Sequence, residues 1–226
     1  MTGYFVTGTD TNVGKTHVSC LLARRAAARG HKVFAFKPIE TGCLPGPAGQ
    51  RVGADQELLA AAAGDWQQGP LRGVYRLALP AAPLMAAEAE ATTIDLARIA
   101  EVAREGRALA SLTVVEGAGG WRVPITRDVD MSALARSLAL PVLVVARAGL
   151  GTINHTLLTL EAIQRDGSQV AGVVLSQRPE DDREFAESNR REIARRWRGR
   201  ISIVREDGAG LEDLIPDPVA NRARST

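Results

Sequence analysis

Residues 7–16 read Thr7-Gly8-Thr9-Asp10-Thr11-Asn12-Val13-Gly14-Lys15-Thr16, and this stretch decides the fold. A short apolar run at residues 4–7 leads into it, and a helical pattern of apolar residues leads out of it from Gly14. That context is typical of a phosphate-binding loop, in which backbone amides and the N-terminus of the next helix hold phosphate oxygens. We expect Lys15 to reach the outer phosphates of a nucleotide and the Thr16 hydroxyl to bind magnesium.

The loop departs at one position from the general phosphate-loop pattern, which has glycine at the place of Thr9. In this chain the glycine, Gly8, stands one residue earlier. A plain turn between a strand and a helix is the alternative interpretation, although Gly-Lys-Thr directly after a strand favours nucleotide binding.

The remainder of the chain alternates short apolar runs with longer helical patterns. The predicted strands span residues 4–7, 32–36, 74–77, 112–115, 142–146, 170–175 and 201–204. The predicted helices span residues 14–29, 55–63, 82–90, 95–104, 131–138, 153–165 and 183–198. We expect a mobile loop at residues 45–49, because it is rich in Pro and Gly, and a frayed end at residues 219–226.

This alternation predicts a single α/β domain over residues 1–226, with a P-loop fold and a mainly parallel central sheet covered by helices on both faces. In such sheets the ligand crevice lies outside the carboxyl ends of the strands. Most of the motifs described below fall at such an end.

Composition narrows the class of protein. The chain has 226 residues, 45% of them hydrophobic, and a net charge of only +2, which argues against a nucleic-acid partner. Cys20 and Cys43 have no metal-binding spacing and cannot form a disulfide framework, which favours a reducing compartment. Since the sequence has neither a signal-peptide pattern nor an apolar run of bilayer length, we expect a cytoplasmic protein without membrane contact.

Lysine is rare in this chain, which has only Lys15, Lys32 and Lys37 among 28 basic residues. Lys15 and Lys37 both lie beside glycine-containing loops that follow predicted strands. A compact ammonium cannot be exchanged freely for a guanidinium, so retention of lysine at these two places indicates chemistry that needs a small point charge. Chance survival of two surface lysines is the alternative.

Two acidic residues are candidates for binding magnesium together with Thr16. Glu116 ends an apolar strand, where a buried carboxylate needs a partner. Asp55 stands at a predicted helix start, where it serves equally well as a helix N-cap. Both supply the oxygen ligands that magnesium prefers.

Four segments together resemble the dethiobiotin synthetase family. They are the loop at residues 7–16, Lys37-Pro38 with Thr41-Gly42, the run at residues 115–120, and the run at residues 150–155. The resemblance implies an ATP- and Mg²⁺-dependent ligase that closes the ureido ring of dethiobiotin from 7,8-diaminononanoate and carbon dioxide, in biotin biosynthesis. It implies a carbamate intermediate and then a carbamic-phosphoric mixed anhydride.

The resemblance also assigns roles to residues. Catalysis falls to Lys37, Lys15 and Thr11, and the substrate contacts to Thr41 and Thr11. In a homodimer, Gly151, Thr152 and Asn154 reach the tail carboxylate of the substrate bound to the neighbouring protomer, although Thr152 alone is typical of a helix cap. The residues expected to bind the nucleotide are Asn12, Val13, Gly14, Lys15, Thr16, His17, Asp55, Glu116, Gly117, Ala118, Gly119, Ser176 and Gln177. For His17 a structural role is the alternative, and for residues 117–120 a simple turn.

The sequence departs from the family pattern in the parts that contact the nucleotide. Position 12 is Asn where many members have Glu, and Ser176-Gln177 replace an Asn-Asp pair that reads adenine. A later Gly-x-Ile-Pro segment is not evident, and the chain has Arg205-Glu206-Asp207-Gly208 there. We therefore expect relaxed selectivity for the base of the nucleotide.

Three other classes fit the phosphate loop less well. ParA- or MinD-like ATPases carry an additional lysine early in the loop, where this chain has Asp10-Thr11-Asn12. An amidotransferase-like cobyrinate synthase needs a glutaminase domain with a catalytic cysteine, and neither cysteine has a nucleophile setting. A non-catalytic phosphate-binding module leaves Lys37, Thr41 and Glu116 without a purpose.

Overall fold

A computed structural model describes residues 2–47 and 49–217 of the chain. In this part of the chain the elements follow in the order β1 (Thr2–Gly8), α1 (Lys15–Ala28), β2 (Val33–Phe36), β3 (Ile39–Thr41), β4 (Leu44–Pro45), β5 (Arg51–Val52), α2 (Ala54–Ala62), β6 (Tyr75–Leu77), α3 (Pro83–Ala89), α4 (Leu96–Ala108), β7 (Leu112–Gly120), α5 (Met131–Leu138), β8 (Val142–Arg147), α6 (Thr152–Arg165), β9 (Val170–Ser176), α7 (Arg183–Arg196) and β10 (Ile201–Val204). Short 3₁₀ helices occupy Gly69–Arg72 and Glu212–Leu214.

The central sheet has six strands in the order β10-β9-β8-β1-β7-β2, and every neighbouring pair is parallel. Its strands are nearly continuous apolar runs because both faces are covered, as predicted. Phe5 and its neighbour Val6 point to opposite faces of β1 and pack into two separate buried clusters. Helices α1 and α2 contribute to the cluster around Val6, whereas α4, α5, α6 and α7 contribute to the cluster around Phe5.

Two small sheets stand beside the central one and were not predicted as such. The predicted strand at residues 74–77 exists as β6, but it pairs in parallel with β3 and does not join the central sheet. Of the predicted loop at residues 45–49, the described residues 45–47 and 49 lie at the tip of the antiparallel pair of β4 and β5. Runs of two or three residues are too short to show a period, so β3, β4 and β5 escaped prediction.

The site is positioned by the carboxyl ends of β1, β2 and β7, which are neighbours in the sheet. β7 continues five residues beyond the predicted strand at residues 112–115, and its last residue, Gly120, pairs with Gly8 of β1. The simple turn considered for residues 117–120 is therefore wrong. Residues 219–226, expected to fray, lie outside the described residues. Within the described ranges, no helix has the length and apolar character needed to cross a bilayer.

Candidate active site

The phosphate loop connects the end of β1 to the start of α1. Asn12 and Gly14 adopt left-handed backbone conformations, with φ of 58° and 97°, and Gly14 is the N-cap residue of α1. Such a turn directs successive backbone amides into a concave, anion-binding surface at the helix N-terminus. The Lys15 Nζ donates a hydrogen bond to the carbonyl oxygen of Asp10 at 3.1 Å, so the ammonium lies against the loop.

Lys37 follows β2 and forms a buried ion pair with two carboxylates. Its Nζ donates to Glu116 Oε1 at 2.9 Å and to Asp55 Oδ2, and only 6% of the residue is exposed. Burial alone lowers the pKa of Lys37, but the negative charges of Glu116 and Asp55 outweigh burial and raise that pKa above its ordinary value. Lys37 is therefore held as a cation at the carboxyl edge of the sheet.

Lys15 has the opposite electrostatic balance. Burial is the largest effect on this ammonium and lowers its pKa; Glu116 raises the pKa, and the positive charge of Lys37 lowers it further. The positive charge of Lys37 thus acts on Lys15, in keeping with the position of both side chains on the wall of one cavity. An anion placed at both ammonium groups would relieve their repulsion.

The residues proposed to hold magnesium come together in the fold. The Thr16 hydroxyl donates to Glu116 Oε1 at 2.9 Å, and Asp55 and Glu116 meet at the Lys37 ammonium. Glu116 is fully buried, and its Oε2 atom has no hydrogen-bond partner in the described chain. An orphaned carboxylate oxygen beside a hydroxyl and a second carboxylate fits a hard cation.

This donor set also limits what the protein supplies to a metal. Among residues 2–47 and 49–217 there is no cluster of three or more His, Cys, Asp or Glu residues able to hold a metal ion. Two carboxylates and a hydroxyl fit magnesium, which usually keeps several waters and shares its remaining positions with substrate phosphates.

A cavity of about 910 Å³ opens at this edge of the sheet. Twelve residues named from the sequence line it, namely Thr11, Asn12, Gly14, Lys15, Thr16, His17, Lys37, Thr41, Asp55, Glu116, Ala118 and Gly119. His17 is exposed on the cavity wall, which argues against a purely structural role for it. The lining residues that sequence reasoning missed are Glu40, Pro80, Ala81, Ala82, Pro83, Val123 and Arg178.

Four residues expected to bind the nucleotide do not line this cavity. Val13 is buried in the core beneath the loop, and Gly117 packs closely against Phe5 and Met131. Ser176 lies so close to Gly14 that a Cβ atom on that glycine would overlap its hydroxyl. Gln177 is buried, and its side-chain amide donates to the carbonyl oxygen of Asp181 at 3.2 Å. Ser176 therefore lies beside the phosphate loop, whereas the Gln177 amide is hydrogen-bonded within the protein.

Residues 151, 152 and 154 lie at the start of α6 and do not line the cavity. Gly151 is the N-cap residue of α6, with φ of 89°, so the helix-cap interpretation of Thr152 is wrong. The Thr152 side chain is buried and its hydroxyl lies 3.4 Å from that of Thr156. The preceding residue, Leu150, is 92% exposed.

The cap interpretation of Asp55 is also wrong, because the N-cap residue of α2 is Gly53 and Asp55 lies in the first helical turn. The missed residue Glu40 provides the capping carboxylate instead, accepting from the Asp55 amide at 2.8 Å. The sequence does contain a signal for Glu40, because this carboxylate stands between the apolar Ile39 and Thr41 in the segment Lys37-Pro38-Ile39-Glu40-Thr41. A carboxylate that is buried needs a partner. Arg178 directly follows Ser176-Gln177, and its Nη2 donates to the carbonyl oxygen of Asn12 at 3.3 Å.

Comparison with known proteins identifies relatives and structural neighbours. A family described as an AAA domain matches residues 2–204. Among solved structures, the chain resembles one chain of the MinC:MinD cell division protein complex of Aquifex aeolicus, with a TM-score of 0.57, 13% identity and coverage of 95% of this chain and 85% of that one. It also resembles cell division protein FtsY of Thermotoga maritima, with a TM-score of 0.52, 15% identity and coverage of 92% and 63%. At such low identity these structures establish the P-loop fold alone.

The curated relatives are more specific. The chain is 45% identical to the ATP-dependent dethiobiotin synthetase BioD of Anaeromyxobacter sp. (strain K) over 100% of this chain and 95% of the relative. It is 44% identical to the protein of the same name from Pseudomonas aeruginosa (strain UCBPP-PA14) over 77% of this chain and 76% of the relative. The chain therefore belongs to the ATP-dependent dethiobiotin synthetase family.

Proposed function

We propose that this protein is an ATP-dependent dethiobiotin synthetase, a cyclo-ligase that joins 7,8-diaminononanoate and carbon dioxide into the ureido ring of dethiobiotin, and that residues 1–226 act as one such domain. The observation that carries the proposal is the buried Lys37 ammonium, which lies on the wall of the same cavity as Lys15. Two ammonium groups beside a phosphate loop suit a reaction that handles an anionic, phosphorylated intermediate. Membership of the family supports the same reaction.

In the first step, one amine of the substrate attacks carbon dioxide and loses a proton, which gives a carbamate. A carbamate is anionic and loses carbon dioxide readily. Lys15 and Lys37 hold this anion by charge, and the cavity keeps it oriented toward the phosphate loop. Thr11 and Thr41, which line the cavity, contact the diamine or its carbamate through their hydroxyls.

In the second step, a carbamate oxygen attacks the γ-phosphorus of ATP and ADP leaves, giving the mixed anhydride. The protein contributes mainly positioning and charge stabilisation to such a transfer. The phosphate-loop amides and Lys15 hold the phosphates, and Lys37 remains a cation beside the transferred group. Thr16, Asp55 and Glu116 would hold magnesium, which neutralises charge on the phosphate oxygens when bound.

In the third step, the second amine of the substrate attacks the carbonyl carbon of the mixed anhydride. The C–O bond to phosphate breaks, a proton leaves the amine, and the five-membered ureido ring closes. The positive charges of Lys15 and Lys37 stabilise the departing phosphate.

We propose a homodimer and a cytoplasmic location for the enzyme. Gly151, Thr152 and Asn154 stand outside their own cavity, which is compatible with contact to the substrate tail on a neighbouring protomer. The exposed Leu150 beside them would be covered in such an interface. Cys20 and Cys43 are both free thiols, which suits a reducing compartment.

The test is a coupled assay for ADP release in the presence of the diamine, bicarbonate and Mg²⁺. We expect ADP release to require the diamine, because the γ-phosphoryl group moves only to a carbamate formed on it. Rapid ATP hydrolysis that continues unchanged without the diamine would reject the assignment as a synthetase. Lys32→Gln is the control variant. Lys32 is the third lysine of the chain and does not line the cavity, so its replacement is expected to leave turnover unchanged.

A further inference from the structure

Glu40 is a buried carboxylate in β3 to which none of the steps above assigns a role. Only 6% of the residue is exposed, and it lines the cavity. In the sequence it stands between Lys37 and Thr41, which also line the cavity. Its Oε1 accepts a hydrogen bond from the Asp55 amide at 2.8 Å, and its Oε2 accepts one from the Gln56 amide at 3.0 Å. Both amides belong to the first turn of α2, whose amides have no partner within the helix.

Glu40 takes the place of the side-chain cap that is missing at the N-terminus of α2. The N-cap residue of α2 is Gly53, and no side chain from the cap position accepts a hydrogen bond. A Cβ atom on Gly53 would overlap the carboxylate of Glu40. Gly53 has φ of −91°, an ordinary value for any residue, so glycine is needed here for space and not for backbone conformation.

The turn held by Glu40 carries two contacts to Lys37. Asp55 of this turn accepts from the Lys37 ammonium, and Gln56 Oε1 accepts from the Lys37 backbone amide at 2.6 Å. The Gln56 side-chain amide donates to the carbonyl oxygen of Ala35 at 3.2 Å. A shift of this turn would therefore move Asp55 relative to both Lys37 and Glu116.

We infer that Glu40 is a positioning residue, which fixes the first turn of α2 so that the Asp55 carboxylate faces Glu116 and can share a magnesium ion with it. This inference rests on the proposed function, because it takes Asp55 and Glu116 as the metal ligands. Groups that orient a metal ligand typically affect metal affinity 10- to 100-fold. Glu40 acts through Asp55 and has no contact of its own with the metal.

The experiment measures the dissociation constant of Mg²⁺ by calorimetry on the full-length protein saturated with ADP. We expect Glu40→Gln to weaken Mg²⁺ binding about tenfold. Glutamine has one acceptor oxygen where glutamate has two, so the Asp55 and Gln56 amides no longer each have an oxygen of their own. In an Asp55→Ala background, the same change is expected to alter Mg²⁺ binding less than twofold. A general charge effect of Glu40 would persist in that background, whereas a role confined to substrate binding would leave Mg²⁺ affinity unchanged in both backgrounds.

Asp95→Ala is the matched control. Asp95 is the N-cap residue of α4 and accepts from the Ala97 amide at 2.8 Å, so its loss also removes a helix cap, but away from the cavity. It is expected to lower the melting temperature without changing Mg²⁺ binding. If Glu40→Gln folds poorly, Gly53→Ala provides a second route, since it keeps Glu40 but displaces its carboxylate and should give the same loss of affinity.

The outcomes separate the inference from the function on which it rests. Unchanged Mg²⁺ affinity in both Glu40→Gln and Gly53→Ala, or an undiminished effect in the Asp55→Ala background, overturns the role of Glu40 and leaves the proposed function standing. If Asp55→Ala itself leaves Mg²⁺ affinity unchanged, the assignment of the metal ligands is wrong and the role of Glu40 falls with it.

Discussion

Replacement of Lys37 by glutamine removes the cation between two carboxylates. Glu116 is fully buried, and without Lys37 the hydrogen bond from the Thr16 hydroxyl is its remaining one in the described residues. Breaking a buried ion pair by removing one partner typically costs about 3–5 kcal/mol. The Asp55 side chain is 37% exposed, so water compensates for part of the loss on that side. We therefore expect Lys37→Gln to lower the free energy of unfolding by about 3 kcal/mol, at the lower end of that range.

The assay is equilibrium unfolding in urea at neutral pH, with and without Mg²⁺. Because a divalent cation can take over the neutralisation of Asp55 and Glu116, Mg²⁺ should stabilise Lys37→Gln more than it stabilises the unmodified protein. Lys37→Arg keeps the positive charge and should lose much less stability. It should nevertheless lose most of the synthetase activity, because a guanidinium fork does not reproduce a compact ammonium.

Two results would refute this reasoning. Equal free energies of unfolding for Lys37→Gln and the unmodified protein, with equal slopes against urea, would show that the ion pair contributes nothing to the fold. Near-normal turnover by Lys37→Arg would show that the site needs only a positive charge and not a lysine.

Three further predictions concern other parts of the molecule. Since neither Ser176 nor Gln177 lines the cavity, and the Gln177 amide donates to the carbonyl oxygen of Asp181, turnover with ATP at equal concentration should exceed that with CTP or GTP by less than about a hundredfold, or about 2.7 kcal/mol. A larger ratio in steady-state assays would contradict relaxed selectivity. Thr16→Val should weaken Mg²⁺ binding to the ADP complex by about 1–2 kcal/mol in a calorimetric titration, because it removes the hydroxyl beside Glu116, and unchanged affinity would exclude that hydroxyl from the metal site. Burial raises the pKa of Asp166, but hydrogen bonds from Arg122 and Trp121 outweigh burial and hold that pKa below 3.8. The stabilisation is therefore present above pH 3.8 and is lost as the pH falls through the lowered pKa. Asp166→Asn should cost about 1 kcal/mol of unfolding free energy at neutral pH, and denaturant unfolding should show that difference shrinking below pH 3.8.

The sequence was sufficient to predict the strands of the central sheet, and it singled out residues that the fold places on the wall of one cavity. Long apolar strands such as β8 and helices with strong periodicity were predicted to within a few residues, because burial on both faces leaves a continuous pattern. The phosphate loop, Lys37 and Glu116 were found because their residue types are difficult to explain by packing alone. The fold brings all three to the wall of one cavity.

The sequence was not sufficient where a residue depends on contacts far along the chain. Glu40 caps helix α2, which begins fourteen residues later at Ala54. No local sequence pattern indicates that a residue in a separate strand caps this helix. Asp55 was therefore given a possible cap role that belongs to Glu40. Similarly, β6 was predicted as a strand, but only the position of its partner β3 decides which sheet it joins.

The central claim is that the cavity at Lys15 and Lys37 builds a ureido ring from a diamine and carbon dioxide with the γ-phosphoryl group of ATP. Its most direct test is incubation of the purified protein with 7,8-diaminononanoate, ATP, Mg²⁺ and ¹³C-labelled bicarbonate, followed by mass spectrometry of the product. We predict dethiobiotin that carries the label in its ureido carbon, with one ADP and one phosphate formed for each ring closed. ADP and phosphate formed without labelled dethiobiotin would contradict the account.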